Sequence, residues 1–268
     1  MLLPDRTLGA RTVRAVRRLL EAGGLFTVAT GRCAASTTRL LQDLALPLPA
    51  IAHNGAQTVD LEGGVTSELV TMPGPVVARL VAASAAAGLS VQAYVWTPEQ
   101  TVELIHGPAK NPPTARYTDT MGQVVPAVPH DGSAATARRL ERCRGLSFLY
   151  LDDADALAGF FAEHCGPDTG VVTSLGKSAY TQGIAVGEVQ WGEATKANAA
   201  RRLAQARGLD PSRIVAFGDN ANDLPLLRLA GRAYCPPDAA PAVLAEVEGR
   251  VAPCAEEGVA IFLEQLLE

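Results

Sequence analysis

Val13, Val16, Leu19 and Leu20 recur at helical spacing until Gly23-Gly24, which predicts an amphipathic helix over 12–22. The stretch 25–29 is short, apolar and β-prone, and it ends at Thr30-Gly31-Arg32 before a helical pattern carrying Leu40, Leu41 and Leu44. Ala50-Ile51-Ala52 reads as a second strand, closed by the turn dipeptide Asn54-Gly55. A long helix is predicted from Pro75 through Val76, Leu80 and Val81 to Gly88, since proline suits a first helical turn. The pattern then changes to strands over 91–96, 101–105, 147–151, 170–174 and 183–189, alternating with helices over 134–142 and 154–164. Residues 107–131 are rich in Pro, Gly, Thr and Asn without a period, and read as a long loop. From Thr195 the first style returns: a helix through Ala200, Leu203 and Ala204, a strand over 213–217, and a polar segment opening another helix.

Repeated strand-loop-helix units imply an α/β fold with a doubly wound, parallel, Rossmann-like sheet. The chain then divides into a discontinuous core, 1–74 with 190–268, and an inserted α+β domain, 75–189, both of ordinary domain size. The 268 residues are 48% hydrophobic and 19% charged, which supports buried cores and argues against disorder. Formal charge is −5 with no long basic stripe, so an electrostatic grip on nucleic acid is not expected. The longest apolar run, 80–91, is broken by Ser84, Gly88 and Ser90 and falls short of the ~20 residues of a membrane helix, so no membrane partner is expected. The N-terminus has neither a basic nor an apolar export region, which points to the cytoplasm. The five cysteines (Cys33, Cys143, Cys165, Cys235, Cys254) and four histidines (His53, His106, His130, His164) are scattered, which favours reduced thiols and no zinc site. Oligomeric state leaves no mark on the sequence.

The sharpest chemistry lies in Gly218-Asp219-Asn220-Ala221-Asn222-Asp223, two carboxylates and two carboxamides at a predicted strand end, the rim where open α/β sheets bind ligands. Asn222 as a helix cap and Asp223 as a dipole partner would account for the second half of this segment but not for Asp219. Paired carboxylates about 4 Å apart repel by about 4 kcal/mol at an effective dielectric of 20, which favours a cation between them, and oxygen ligands suit Mg²⁺. Thr30-Gly31-Arg32 can offer a hydroxyl and loop N–H groups to phosphate oxygens, although a turn is its commoner use. Lys196, one of three lysines against twenty arginines, heads a helix where its charge opposes the dipole, which favours an anionic partner. Asn54-Gly55, taken alone, is a turn. Residues 170–178 end in Gly-Lys-Ser with the wrong spacing for a P-loop, and no Gly-x-Gly-x-x-Gly follows a strand.

Together, Val28-Ala29-Thr30-Gly31-Arg32, Asn54-Gly55-Ala56, Lys196 and Gly218-Asp219-Asn220-Ala221-Asn222-Asp223 resemble the haloacid dehalogenase-like superfamily, in order and spacing along nearly the whole chain. The closer likeness is to its Cof-type phosphatases with a large α+β, type IIB-like cap, and Glu256-Glu257-Gly258-Val259-Ala260 resembles the closing segment of that subfamily. The resemblance implies an Mg²⁺-dependent phosphatase of small phosphorylated metabolites with an aspartyl-phosphate intermediate. Thr30 and Lys196 would be catalytic, Thr30 bonding the phosphoryl group and Lys196 neutralising its charge. Gly31, Asn54 and Asn222 would bind phosphate or substrate, and Asp219 and Asp223 would hold the metal. Specificity would come from the cap, with Tyr94, Trp96, Tyr117 and Lys177 as candidates.

One piece of the family pattern is absent: an apolar strand ending in Asp-x-Asp-Gly-Thr, whose first Asp is the nucleophile and second the general acid and base. Only Met1 to Pro4 precede Asp5, too few for a strand, so the sequence offers no nucleophile. The resemblance therefore implies a start at an internal methionine, inactivity of the literal chain, and strands near 26–29 and 213–217 left unpaired or paired with each other, with sticky edges. The rival expectation is a pseudophosphatase that binds phosphorylated ligands in a regulatory role.

Overall fold

The structure, a computed structural model, describes residues 1–5, 7–177 and 183–268. The Lys177 side chain and Ser178 lie outside what is described. The chain forms two compact units, Met1–Glu68 with Thr195–Glu268, and Leu69–Ala194.

The first unit begins with α1 (Ala10–Glu21) and α2 (Ala34–Leu41), followed by β1 (Ala50–Ala52), β2 (Gln57–Val59) and β3 (Thr66–Leu69). β1 pairs antiparallel with β2, and the three strands form one sheet in the order β1-β2-β3. The predicted strand over 25–29 is not one. The chain there touches β1 through a parallel bridge, Ala29 to Ile51, with Ile51 N–H donating to the Val28 carbonyl and Thr30 N–H to the Ile51 carbonyl. A strand supported on one side only gains half a ladder's hydrogen bonds, and Leu25 at its start is 49% exposed.

The second unit contains α3 (Gly74–Ala86), β4 (Val91–Trp96), β5 (Val102–His106), α4 (Pro112–Gly122), β6 (Ala127–Pro129) and α5 (Ala134–Glu141). It continues through β7 (Arg144–Asp152), α6 (Ala154–His164), β8 (Val171–Lys177) and β9 (Ala185–Trp191). Its six strands form one mixed sheet, β6-β5-β4-β7-β9-β8, antiparallel except for the β5–β6 pair. The core of this unit packs Leu80 and Val81 of α3 and Leu157, Phe160 and Phe161 of α6 with Val91, Phe148, Tyr150 and Val189 of the sheet. Each such side chain contributes about 1.5–3 kcal/mol when taken out of water.

The predicted loop over 107–131 is corrected: it holds α4 and β6. Pro112 and Pro113, which resemble loop residues, occupy the first helical positions, where no N–H partner is needed. Asn111 caps them, its Oδ1 accepting from Thr114 N–H at 2.9 Å and Thr114 Oγ1 at 2.9 Å, while its Nδ2 donates to the Leu151 carbonyl at 2.7 Å.

The chain returns to the first unit with α7 (Lys196–Ala206), β10 (Val215–Phe217), α8 (Leu224–Leu229), β11 (Arg232–Cys235), α9 (Pro241–Glu246), β12 (Gly249–Arg250) and α10 (Gly258–Leu266). β10, β11 and β12 form a parallel three-stranded sheet in that order, crossing over through α8 and α9 as a doubly wound α/β fold does. β10 is its edge strand and pairs with β11, while the stretch over 25–29 bridges β1; the expected pairing of these two stretches with each other does not occur among the described residues. Two apolar cores serve this unit: one joins α1, α2 and α10 to β1, and the other joins Ala197 of α7 to β10, α8 and α9. Glu257, at φ 55°, ties the first together by accepting from Thr12 N–H at 2.6 Å and Thr12 Oγ1 at 2.8 Å at the start of α1. Among the described residues no helix is long and apolar enough to cross a membrane.

Candidate active site

Four loops of the first unit carry the residues singled out by sequence, and local rules bring them together. Thr195 caps α7, its Oγ1 accepting from Asn198 N–H at 3.1 Å, so Lys196 begins the first turn. Its ammonium is turned inward: Nζ lies 2.7 Å from Asp223 Oδ1, with the two side chains 8% and 9% exposed. That contact resolves the odd placement of Lys196, because a buried cation beside a carboxylate outweighs the mild opposition of the helix dipole.

Asp223 is engaged on both oxygens. Oδ2 accepts from the backbone N–H of Asp219 at 3.0 Å and of Asn220 at 3.1 Å, which folds the loop after β10 into a tight cradle. A side chain at Gly218 would strike Asp223, its Cβ falling 2.5 Å from Asp223 Cβ. The turn thus begins at Asn220, and Asn222 does not cap it as the bland reading had it. Asn222 instead donates from Nδ2 to Asn54 Oδ1 at 3.2 Å.

Asn54 sits at φ 55° and Gly55 at φ 111°. A Cβ on Gly55 would come within 2.3 Å of the Thr195 carbonyl oxygen, so the Asn-Gly pair makes a turn and also lets the start of α7 approach. Asn54 N–H donates to the Thr30 carbonyl at 2.9 Å, and Arg32 N–H donates to Thr30 Oγ1 at 3.2 Å across Gly31. Thr30 therefore connects through Asn54 and Asn222 to Asp223, Lys196 and Asp219. Sequence reasoning missed His53, fully buried beneath Asn54, whose imidazole burial pushes down to about 3 and so keeps neutral. His53 carries no periodic or motif signal. Asn220, one of the two carboxamides of the loop motif, was given no role of its own; its Nδ2 lies 3.3 Å from Asp219 Oδ2.

Asp219 keeps access to solvent while protein surrounds it, and loss of hydration, then the charge of Asp223, raises its carboxyl above the ordinary range; Lys196 acts in the opposite sense. With Lys196 and Asp223 paired, Asp219 is the carboxylate left outside that pair, its charge favoured by Lys196 and the N-terminal ammonium and opposed by Asp223 and Asp238. Among the described residues no three His, Cys, Asp or Glu gather as a closed metal cage. Mg²⁺, however, is commonly held by one or two carboxylates together with water and phosphate oxygens. An accessible aspartate raised by its surroundings fits such an open site. Asp5, the sole acid near the start of the chain, is exposed and bonds Thr7 through its Oδ1, away from any strand end.

The family model for haloacid dehalogenase-like hydrolases matches residues 1–263. The chain belongs to that family. Among curated relatives, a 5-amino-6-(5-phospho-D-ribitylamino)uracil phosphatase, YbjI, of Escherichia coli is 37% identical over 73 residues, 27% of either chain. The putative phosphatase YxeH of Bacillus subtilis is 35% identical over 80 residues, 30% of either chain, so these two matches span less than a third of the relatives' length. The HMP-PP phosphatase of Cronobacter sakazakii is 25% identical along 100% of this chain and 92% of its own. A haloacid dehalogenase-like hydrolase from B. subtilis superimposes with a TM-score of 0.82 at 15% identity, covering 99% of this chain and 95% of that one. The subclass IIB sugar phosphatase BT4131 gives 0.75 at 18% identity, covering 99% and 94%. At such identities the likeness establishes the α/β fold of the family.

Proposed function

We propose that this protein is a cytoplasmic, magnesium-dependent phosphatase of small phosphorylated metabolites, with 1–74 and 190–268 as its core and 75–189 as a cap that selects the substrate. The single observation that carries the reading is the linked cluster itself. Thr30, Asn54, Lys196 and the trio Asp219, Asn222 and Asp223 come from four loops and are linked through hydrogen bonds and one buried ion pair. Support for the substrate class comes from the relatives, whose names are those of phosphatases of small phosphorylated compounds.

In this reading Thr30 donates its hydroxyl, and Gly31 its backbone N–H, to phosphoryl oxygens. Lys196, held by Asp223, offers positive charge as negative charge develops on the transferred group, a contribution aimed in advance by the buried pair. Asn54 and Asn222, fixed to each other, orient the phosphate at the entrance. Asp219 would hold the metal with Asp223 behind it, and the bound ion would supply charge neutralisation that lets two anions approach.

Attack on phosphorus needs a carboxylate that these loops do not provide. We assign it to a strand outside the 268 residues, carrying Asp-x-Asp at its end and seated against the one-sided edges of 25–29 and β10. The assignment makes the literal chain a binder with little or no turnover. The test is an assay of the literal chain and of the chain with its in-frame upstream codons, against p-nitrophenyl phosphate and a panel of sugar phosphates with Mg²⁺. Turnover confined to the extended form supports the reading. Turnover by the literal chain removes the missing strand from the account, and a stable extended chain without turnover favours the regulatory, phosphate-binding alternative.

A further inference from the structure

The inserted unit holds a second feature that the phosphatase reading leaves unused, a cavity of about 430 Å³ between the turn joining β4 to β5 and the end of α5. Thr97, Glu99, Arg138, Arg139 and Arg142 line it over the buried Cys143. Arg138 and Arg139 lie in the last turn of α5 and Arg142 follows as its cap, so Arg138 and Arg142 stand one turn apart on the same helix face. Like charges at that spacing destabilise a helix by about 0.2–0.5 kcal/mol. A cation near the last carbonyls complements the helix dipole, but that role is filled by one arginine and does not call for three.

The local acids absorb only part of this charge. Arg139 pairs through Nη2 with Glu103 Oε2. The Glu99 carboxyl is held down first by its own backbone N–H and then by Thr97, with Arg142 and Arg139 adding at longer range. Among the described residues neither Arg138 nor Arg142 belongs to an ion pair. Two guanidinium forks outside any ion pair, with the Glu99 carboxylate as the opposing charge on the same wall, line an open cavity in the size range of small-molecule sites (about 300–1,000 Å³) and can bond phosphate oxygens bidentately. The volume exceeds what one orthophosphate fills, which leaves room for two charged groups, one for each fork.

We propose that this cavity is an anion site for the diphosphate group of a small molecule, built wholly from the inserted unit and independent of the cluster around Lys196. Inorganic pyrophosphate is the probe, titrated calorimetrically into the whole chain with EDTA present so that no divalent cation bridges it to Asp219. The expected result is saturable binding of one equivalent, at least tenfold weaker in Arg138→Ala/Arg142→Ala and several-fold tighter in Glu99→Gln, which removes a like charge from the wall. All three side chains are exposed, and unchanged circular dichroism and melting temperature show that each variant is folded. Absence of saturable binding at millimolar pyrophosphate, or equal affinity in the double variant, overturns the site. Orthophosphate binding as tightly as pyrophosphate overturns the diphosphate assignment.

Discussion

Replacing Lys196 by Met tests the cluster at its most buried contact. The change keeps most of the side-chain volume and removes the ammonium 2.7 Å from Asp223 Oδ1, where both side chains are less than a tenth exposed. Breaking a buried pair by deleting one partner costs roughly 3–5 kcal/mol because a desolvated charge is left behind. Asp223 retains two backbone N–H donors on Oδ2, which places the expected loss near the lower end, about 3 kcal/mol. At about 2–4 °C per kcal/mol for a domain of 150–250 residues, melting of the first unit should fall by roughly 6–12 °C. Trp96 and Trp191 both lie in the other unit, so tryptophan fluorescence reports the wrong transition; amide exchange over 196–206 and 215–223 reads the right one. Asp223→Asn and the double variant complete a cycle, with an expected coupling of about 2 kcal/mol. A coupling below about 0.5 kcal/mol, the size of an exposed pair, refutes the argument.

Other consequences follow from single contacts. Because surroundings raise the Asp219 carboxyl, its ionised form costs folding stability at neutral pH; Asp219→Asn should raise the melting temperature at pH 7, with the gain vanishing once pH falls below the ordinary aspartate range, and a loss at pH 7 contradicts the direction. Added Mg²⁺ should stabilise the unaltered chain and not this variant, its effect fading on acidification at a pH above that of a normal aspartate. Gly55→Ala places a methyl 2.3 Å from the Thr195 carbonyl at φ 111°, so it should destabilise the first unit and weaken phosphate binding together, read by differential scanning calorimetry and titration. Asn111→Ala removes the cap of α4 and should cost about 1–2 kcal/mol in exchange protection of 112–122, leaving α7 unaffected.

The elements most legible in sequence are those whose own residues decide them. α6 falls where its spacing places it, at Ala154–His164, opened by Asp153, whose side chain accepts from Asp155 and Ala156 N–H. α3 and β4 follow the same rule. α4 was hidden because Pro112-Pro113 breaks a helix anywhere except at its start, and the capping role of Asn111 depends on Leu151, forty residues away. The segment over 25–29 has strand composition, yet a strand needs neighbours, and composition does not reveal that one side has none. At the site, the loop after β10 and the lone helix-head lysine stood out because each violated a local preference. The pairing that explains them spans Lys196 to Asp223 and Asn54 to Asn222, and no local pattern encodes it. The paired aspartates were expected to call for a metal between them. In the fold the ammonium of Lys196 pairs with Asp223, and Asp219 is left outside that pair.

That leftover charge gives the most direct test of the account. Asp219, exposed beside the Lys196–Asp223 pair, repels a phosphate dianion until a divalent cation reverses the local sign. Orthophosphate titrated into Arg138→Ala/Arg142→Ala chain should therefore bind with Mg²⁺ and fail to bind without it, and Asp219→Ala in the same background should abolish the Mg²⁺-dependent binding. Equal binding with and without Mg²⁺, or binding that survives Asp219→Ala, would contradict the claim that these loops form a metal-assisted phosphoryl site.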